Sequence, residues 1–245
     1  MKRSSFFPWI ALIFLACHTP YQPGSLTFRD YRVTDSAGTD PSYNTYLKPY
    51  RDSMQVSMGE IVGTAARRMD VKRPATTLGN FMADAYLDMA REKFDPAAQV
   101  AVMNLGGIRK PYLEAGPITR GMVFEIMPFD NLMTLVTVNG EQMKALLDAS
   151  MAEGGGVAGM SFSTNGKQVS NVLVDGKPLD PLAQYTLVTS DYAAGDPRMS
   201  WFYGPARKKQ TTYLLRDCII DYTRKMGRQG RPIGEQLEKR INSDK

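Results

Sequence analysis

The chain has 245 residues, 43% of them hydrophobic, with 30 Lys and Arg against 25 Asp and Glu. A formal charge of +5 suits an anionic small ligand and does not call for nucleic acid. One histidine and two cysteines exclude a disulfide framework, a His-based metal centre and a Ser-His dyad.

Lys2 and Arg3 precede an apolar run from Phe6 to Ala16, interrupted only by Pro8. That run is too short to span a bilayer comfortably and reads as an export signal. Phe14-Leu15-Ala16-Cys17 resembles a bacterial lipobox, which implies lipidation of Cys17. Residues 1–17 are therefore expected to be a lipoprotein signal, 18–27 a tether and 28–245 one domain. An ordinary signal peptide and an uncleaved anchor are the alternatives. The expected location is the bacterial cell envelope (periplasm or outer membrane), with a lipid anchor in the membrane. Loss of Lys2 and Arg3 lowers the net charge to +3, with 28 basic against 25 acidic residues. The remaining length suffices for one sizeable domain that buries about 70% of the surface its unfolded chain exposes.

Tyr43, Tyr46, Leu47, Tyr50 and Met54 form a helical stripe that Pro49 should kink or split. A strand is expected over Glu60–Ala66, then a loop at Lys72-Arg73-Pro74. Thr76 or Thr77 should cap a helix over Leu78–Lys93. Gln99–Met103 reads as a buried strand, and Thr119 as the cap of a short helix through Met127. Leu132–Val138 is β-rich and ends at Asn139-Gly140, a turn signal. Met143, Leu146, Leu147 and Met151 mark another helix. Val172–Val174 and Lys177–Leu179 flank Asp175-Gly176 as a hairpin. Tyr185–Ser190 is the next strand, and Leu215, Cys218, Ile219, Tyr222 and Met226 a closing helix. Strands and helices mix without βαβ repetition, so the fold class is α+β, a mixed sheet with packed helices.

Two stretches carry the chemistry. Asn104-Leu105-Gly106-Gly107-Ile108-Arg109 offers bare backbone after a strand, where N–H groups can converge on an anion, and a guanidinium fork. On chemistry alone the commoner reading is a glycine turn with a surface arginine. Pro128-Phe129-Asp130-Asn131 sets an aromatic face beside a side-chain amide, as a planar heterocycle requires. Tyr192, closing Thr189-Ser190-Asp191-Tyr192, is a candidate second face, and Asp196 a candidate acceptor for ribose hydroxyls. A base stacked on one aromatic contributes about 1–3 kcal/mol.

Other motifs carry less. Gly154-Gly155-Gly156-Val157-Ala158-Gly159 fits a dinucleotide pattern but follows a helix and precedes a strand, the reverse of the required order, and reads as a flexible loop. Asp84 with Asp88, and Asp217 with Asp221, read as solvated carboxylate faces, and Arg207-Lys208-Lys209 and Arg224-Lys225 as solvent-exposed basic clusters.

The ordered landmarks resemble the C-terminal, substrate-binding domain of the 5′-nucleotidase / UDP-sugar hydrolase family. They begin with Thr77-Leu78-Gly79-Asn80-Phe81-Met82-Ala83-Asp84-Ala85, then Asn104–Arg109 and Pro128–Asn131. Val138-Asn139-Gly140-Glu141-Gln142-Met143, Val174–Pro181 and Thr189–Tyr192 follow. The resemblance implies that Arg109, and also Arg73, contact phosphate. It implies that Asn104 and Gly106 line the site, and that Phe129 and Tyr192 stack the base. Asn131 would touch the base and Asp196 the ribose. Asp196 stands four residues after Tyr192, where the family has about six, and Leu105 and Asp130 replace family glycines.

The ligand implied is a nucleotide or nucleotide-sugar. Hydrolysis, with its divalent metals, is expected on a separate metallophosphoesterase chain, with no catalytic residue or cofactor here. The alternatives are a non-catalytic surface lipoprotein that binds nucleotides or a related ligand, and a degenerate domain kept for partner contacts.

Overall fold

The computed structural model describes residues 24–243 except Leu26, Asp35, Glu153, Pro205 and residues 235–239. The signal reading over 1–17, the Cys17 lipidation site and most of the 18–27 tether lie outside the described residues. Two compact units divide the chain between Leu47 and Lys48.

In the first unit the backbone runs without regular structure to helix α1 (Pro41–Met58). Asp40 Oδ1 caps its start, accepting from the N–H groups of Ser42 and Tyr43 at 2.8 and 3.3 Å. Contrary to the split expected at Pro49, α1 is continuous through that residue. A missing N–H leaves one helical carbonyl without its donor, and on an exposed helix water can supply it. Tyr43, Tyr46, Tyr50 and Met54 are all exposed, and α1 buries none of its residues.

The second unit takes in α1 from Lys48 onward and continues with β1 (Ile61–Ala65), β2 (Met69–Asp70), α2 (Thr77–Lys93), β3 (Val100–Met103), β4 (Tyr112–Leu113) and β5 (Gly116–Thr119). Next come α3 (Arg120–Ile126), β6 (Leu132–Asn139), α4 (Gly140–Ser150), β7 (Gly156–Ala158) and β8 (Met160–Thr164). The chain continues through β9 (Val169–Val174), β10 (Lys177–Pro178), β11 (Gln184–Ser190), α5 (Asp191–Ala194) and α6 (Ser200–Tyr203). It closes with β12 (Arg207–Leu214), α7 (Leu215–Arg228) and β13 (Ile241–Ser243). No helix among the described residues is long and apolar enough to cross a membrane.

The central sheet has the order β12-β6-β11-β3-β7. Only β11 and β3 are parallel neighbours; the other pairs are antiparallel. A second sheet has the order β10-β9-β8-β13, and β1-β5 and β2-β4 are two-stranded. Alternate side chains of one strand point to opposite faces, and the central strands feed two cores accordingly. Ala101, Met103, Leu135 and Val188 join α2 and α7 in one core. Val100, Val102, Val136 and Leu187 join α4 and the second sheet in the other.

Several local expectations change in the fold. Thr76 occupies the N-cap position of α2, but its hydroxyl donates to the Gly155 carbonyl at 3.2 Å instead of capping. Asn139-Gly140 is no hairpin turn. Asn139 and Gln142 form a reciprocal capping box, each side chain meeting the other's backbone N–H at 2.8 Å, and α4 starts directly at the strand end.

The Gly154–Gly159 segment is not a flexible loop. Residues 154–158 are buried, and Gly156–Ala158 pairs with β3. A Cβ on Gly156 would stand 2.2 Å from the Gly79 carbonyl oxygen, so this glycine is what lets α2 lie against β7. The carboxylate pairs are not simply solvated either. Asp84 takes both terminal nitrogens of Arg240 at 2.6 and 2.9 Å, Asp88 takes Lys225 at 2.6 Å, and Asp221 accepts from Tyr213 at 2.7 Å. Of the basic clusters, Arg207-Lys208-Lys209 is exposed on β12, whereas Arg224 and Lys225 are engaged with Glu60, Asp88 and Glu92.

A cleft at the edge of the central sheet

Sheet topology decides where the sequence motifs meet. Parallel β3 and β11 end at the same edge, delivering Asn104 after Met103 and Tyr192 after Ser190. Strand β6 runs antiparallel to β11, with Met133 opposite Ser190, so the residues that enter β6 arrive at that edge too. Phe129 and Asn131 are those residues. Asp191 Oδ1 ties the two loops, accepting from the N–H groups of Leu132 at 3.0 Å and Tyr192 at 2.8 Å.

A cleft of about 690 Å³ opens here, lined by Asn104, Gly106, Arg109, Phe129, Asn131, Tyr192 and Asp196. Arg73 is not among its lining residues; it sits in the exposed loop before α2. The last turns of α4 add Leu146, Ala149, Ser150 and Met151 as a largely apolar wall.

A single 3₁₀ turn over Leu105–Gly107 forms the glycine loop, held by Ile108 N–H donating to the Leu105 carbonyl at 3.0 Å. Arg109 N–H donates to the Ile126 carbonyl at 2.9 Å, fixing where the arginine leaves the loop. Its guanidinium carbon stands 4.8 Å over the centre of the Phe129 ring. That separation is within cation–π range, so cation and aromatic platform are one assembly.

Behind them, Arg216 of α7 donates to the Phe129 carbonyl at 3.3 Å and to Asp130 at 2.6 Å. The Asp130 carboxylate is thereby paired away from the cleft lining. Tyr192 does not end a strand; it lies in α5, capped by Ser190, with its side chain 62% exposed.

Four residues that matter here are not among the candidates read from the sequence. Arg198, Trp201 and Tyr203 line the cleft, and Arg216 braces it. Trp201 is 53% exposed and adds a third accessible aromatic. Burial pushes the Tyr203 hydroxyl up to about 12, so it stays a neutral donor at physiological pH. The run Trp201-Phe202-Tyr203 soon after Tyr192 was the available clue, but three consecutive aromatics have no period that separates wall from core. Arg198 grips Asp196, and this pairing holds the Asp196 carboxyl below the usual carboxylate range. Among the described residues, no group of three or more His, Cys, Asp or Glu could hold a metal ion.

Taken together, an α+β domain and an aromatic, arginine-bearing cleft define a ligand-recognition module. Residues 57–203 match the model of the 5′-nucleotidase C-terminal domain, more than half of the chain, and the chain belongs to that family. It is 28% identical over 232 residues to the trifunctional nucleotide phosphoesterase protein YfkN of Bacillus subtilis, covering 85% of this chain and 16% of YfkN. It is 28% identical over 172 residues to protein UshA of Yersinia enterocolitica, covering 66% of this chain and 30% of UshA. The 5′-nucleotidase precursor of Thermus thermophilus superposes with a TM-score of 0.70 at 23% identity, over 82% of this chain and 42% of that one, and so shares the fold. The chain thus spans well under half of each of these relatives.

Proposed function

We propose that this chain is the nucleotide-recognition part of a 5′-nucleotidase-type hydrolase, lipid-anchored in the cell envelope through Cys17. In this reading the phosphoesterase centre, with its divalent metals, is supplied by a separate metallophosphoesterase chain. The convergence of Arg109, Phe129 and Tyr192 on one cleft at the sheet edge is the observation that carries it. A guanidinium fork suits phosphate and the aromatic faces suit a base. The family's place in nucleotide breakdown supports the ligand class, and the scarcity of histidine supports chemistry located elsewhere.

Equilibrium titration of the full chain with AMP, adenosine and UDP-glucose tests the recognition. Phe129→Ala should weaken every ligand that carries a base, by about 5- to 150-fold if one stacking contact is lost. Arg109→Ala should weaken AMP by more than it changes adenosine. Unchanged affinities in both variants would remove the assigned cleft. Adding a purified metallophosphoesterase chain should bring nucleotide hydrolysis, whereas metal-dependent AMP hydrolysis by this chain alone would overturn the division of labour.

A further inference from the structure

We infer that Asp191 is a positioning residue whose side chain sets the distance between the two stacking faces, Phe129 and Tyr192, and so governs how tightly a base is held. This rests on the nucleotide reading of the cleft and deepens it, because base affinity becomes a property of two linked loops and not of two rings taken singly. Asp191 is not among the residues lining the cleft, so it acts through the loops that are.

A base in van der Waals contact with a ring on each side needs those faces roughly 7–8 Å apart. Strands paired in a ladder stand only about 4.8 Å apart. Strands β6 and β11 are paired as far as Met133 and Ser190, so the loops that carry the two rings must diverge just beyond that pair. The next position in the register sets Leu132 against Asp191, where the chain leaves β11 and enters α5. There the Leu132 N–H donates to Asp191 Oδ1 at 3.0 Å, a side-chain acceptor in place of a backbone carbonyl. The same Oδ1 accepts from the Tyr192 N–H at 2.8 Å. A carboxylate oxygen has two lone pairs, and here both meet backbone, one on each loop. The arm of Asp191 thus takes over from the ladder, and its length fixes how far the loops separate.

The Phe129 loop is held from its other side. Leu215 N–H donates to the Asn131 carbonyl at 2.9 Å, and Arg216 to the Phe129 carbonyl at 3.3 Å. Both donors belong to α7, which buries Leu215, Cys218, Ile219 and Ile220 in the core. The Phe129 side is therefore anchored, and Asp191 places the Tyr192 side relative to it. Small errors in that placement matter, because a gap of about 0.5–1 Å forfeits a quarter to a half of a dispersion contact. One added methylene lengthens the arm by about 1.5 Å, a full carbon–carbon bond.

Titration of adenosine and ribose 5-phosphate into the full chain and its Asp191→Glu, Asp191→Asn and Asp191→Ala variants tests this. Asp191→Glu keeps the charge and the acceptor but lengthens the arm. Asp191→Asn keeps the arm and Oδ1 but removes the charge, and Asp191→Ala removes the arm. Adenosine affinity should fall about fivefold or more in the Glu and Ala variants, the low end for one lost stacking contact, and stay within about twofold in Asp191→Asn. Ribose 5-phosphate, which has no base, should bind all four chains alike. In a Tyr192→Ala background there is no second face to place, so Asp191→Glu should then change adenosine affinity by less than about twofold. Three results each overturn the inference: full adenosine affinity in Asp191→Glu, an equal loss in Asp191→Asn, or the same Asp191→Glu loss without the Tyr192 ring. If Asp191→Ala does not fold, the Glu and Asn variants decide between arm length and charge. Failure of adenosine to bind the wild-type chain is a different result: it overturns the nucleotide reading itself, and this inference with it.

Discussion

Gly106 and Gly107 are adjacent but do different work. A Cβ on Gly107 would stand 2.7 Å from the Met103 methyl carbon and 3.2 Å from Asn104 Oδ1, so that glycine serves packing. A Cβ on Gly106 would meet nothing closer than Asn104 Nδ2 at 3.9 Å, an ordinary contact. Gly106 is therefore free to change as far as the fold is concerned, and what it keeps open is the cleft. Gly106→Ala should leave stability within about 0.5 kcal/mol while lowering AMP affinity; thermal melting and titration of the same sample check both. Sequence alone raised this loop as an anion site but could not separate its two glycines, because the distinction lies in contacts with Met103 and Met127. Arg198 was illegible for a similar reason. Its partner is two residues away, yet an Asp-Pro-Arg sequence does not reveal which way the guanidinium turns.

At the level of elements, long periodic segments were readable and junctions were not. The stripe Leu78, Phe81, Met82, Ala85 and Met89 is fully buried on α2, as its spacing predicts. Asp175-Gly176 makes the expected hairpin, both residues at positive φ. By contrast, Asn139-Gly140 carries the same local signal as a hairpin turn and instead begins a helix. The discriminating residue is Gln142, which closes the capping box. Asn139→Ala removes the acceptor for the Gln142 N–H, leaving the bond from its own backbone N–H to Gln142 Oε1, and should cost about 1 kcal/mol, or roughly 2–4 °C in Tm for a domain of this size. Asn139→Asp keeps an acceptor for the Gln142 N–H and should recover most of that loss; equal losses in both variants would mean that the box contributes little. The triple glycine was misjudged because composition reports flexibility, whereas burial between α2 and β3 is a tertiary fact.

Across the whole molecule, Arg240 acts as a fastener. It pairs with Asp84 on α2 and donates to the Val157 carbonyl of β7 at 2.7 Å, immediately before β13 joins the second sheet. Burial raises the Asp84 carboxyl above its ordinary value, and Arg240 opposes that rise. The folded state therefore holds this proton to higher pH than the unfolded chain does. This group's contribution to stability is fullest below about pH 4 and declines as pH rises through the folded pKa. Arg240→Ala removes the opposing cation and pushes Asp84 higher still. The expected destabilisation is about 2–4 kcal/mol near neutral pH, discounted from the cost of breaking a fully buried pair, and smaller at pH 4. Urea midpoints across that range would show it, and a loss independent of pH would assign Arg240 a packing role only.

The shared sheet edge has a dynamic consequence. Each loop that walls the cleft leaves from one of three adjacent strands, β6, β11 and β3, and these strands are locked in register from Met133–Ser190 to Ala101–Val188. The strand ends beneath the cleft cannot part without breaking ladder hydrogen bonds, which belong to the slowest-opening part of a domain. Under the proposed function, ligand exchange is expected to involve side-chain rotation, on the nanosecond scale of exposed rotamers, by Arg109, Tyr192, Arg198 and Trp201. The scaffold beneath them keeps a fixed span, and recognition is tuned by which side chains swing above it.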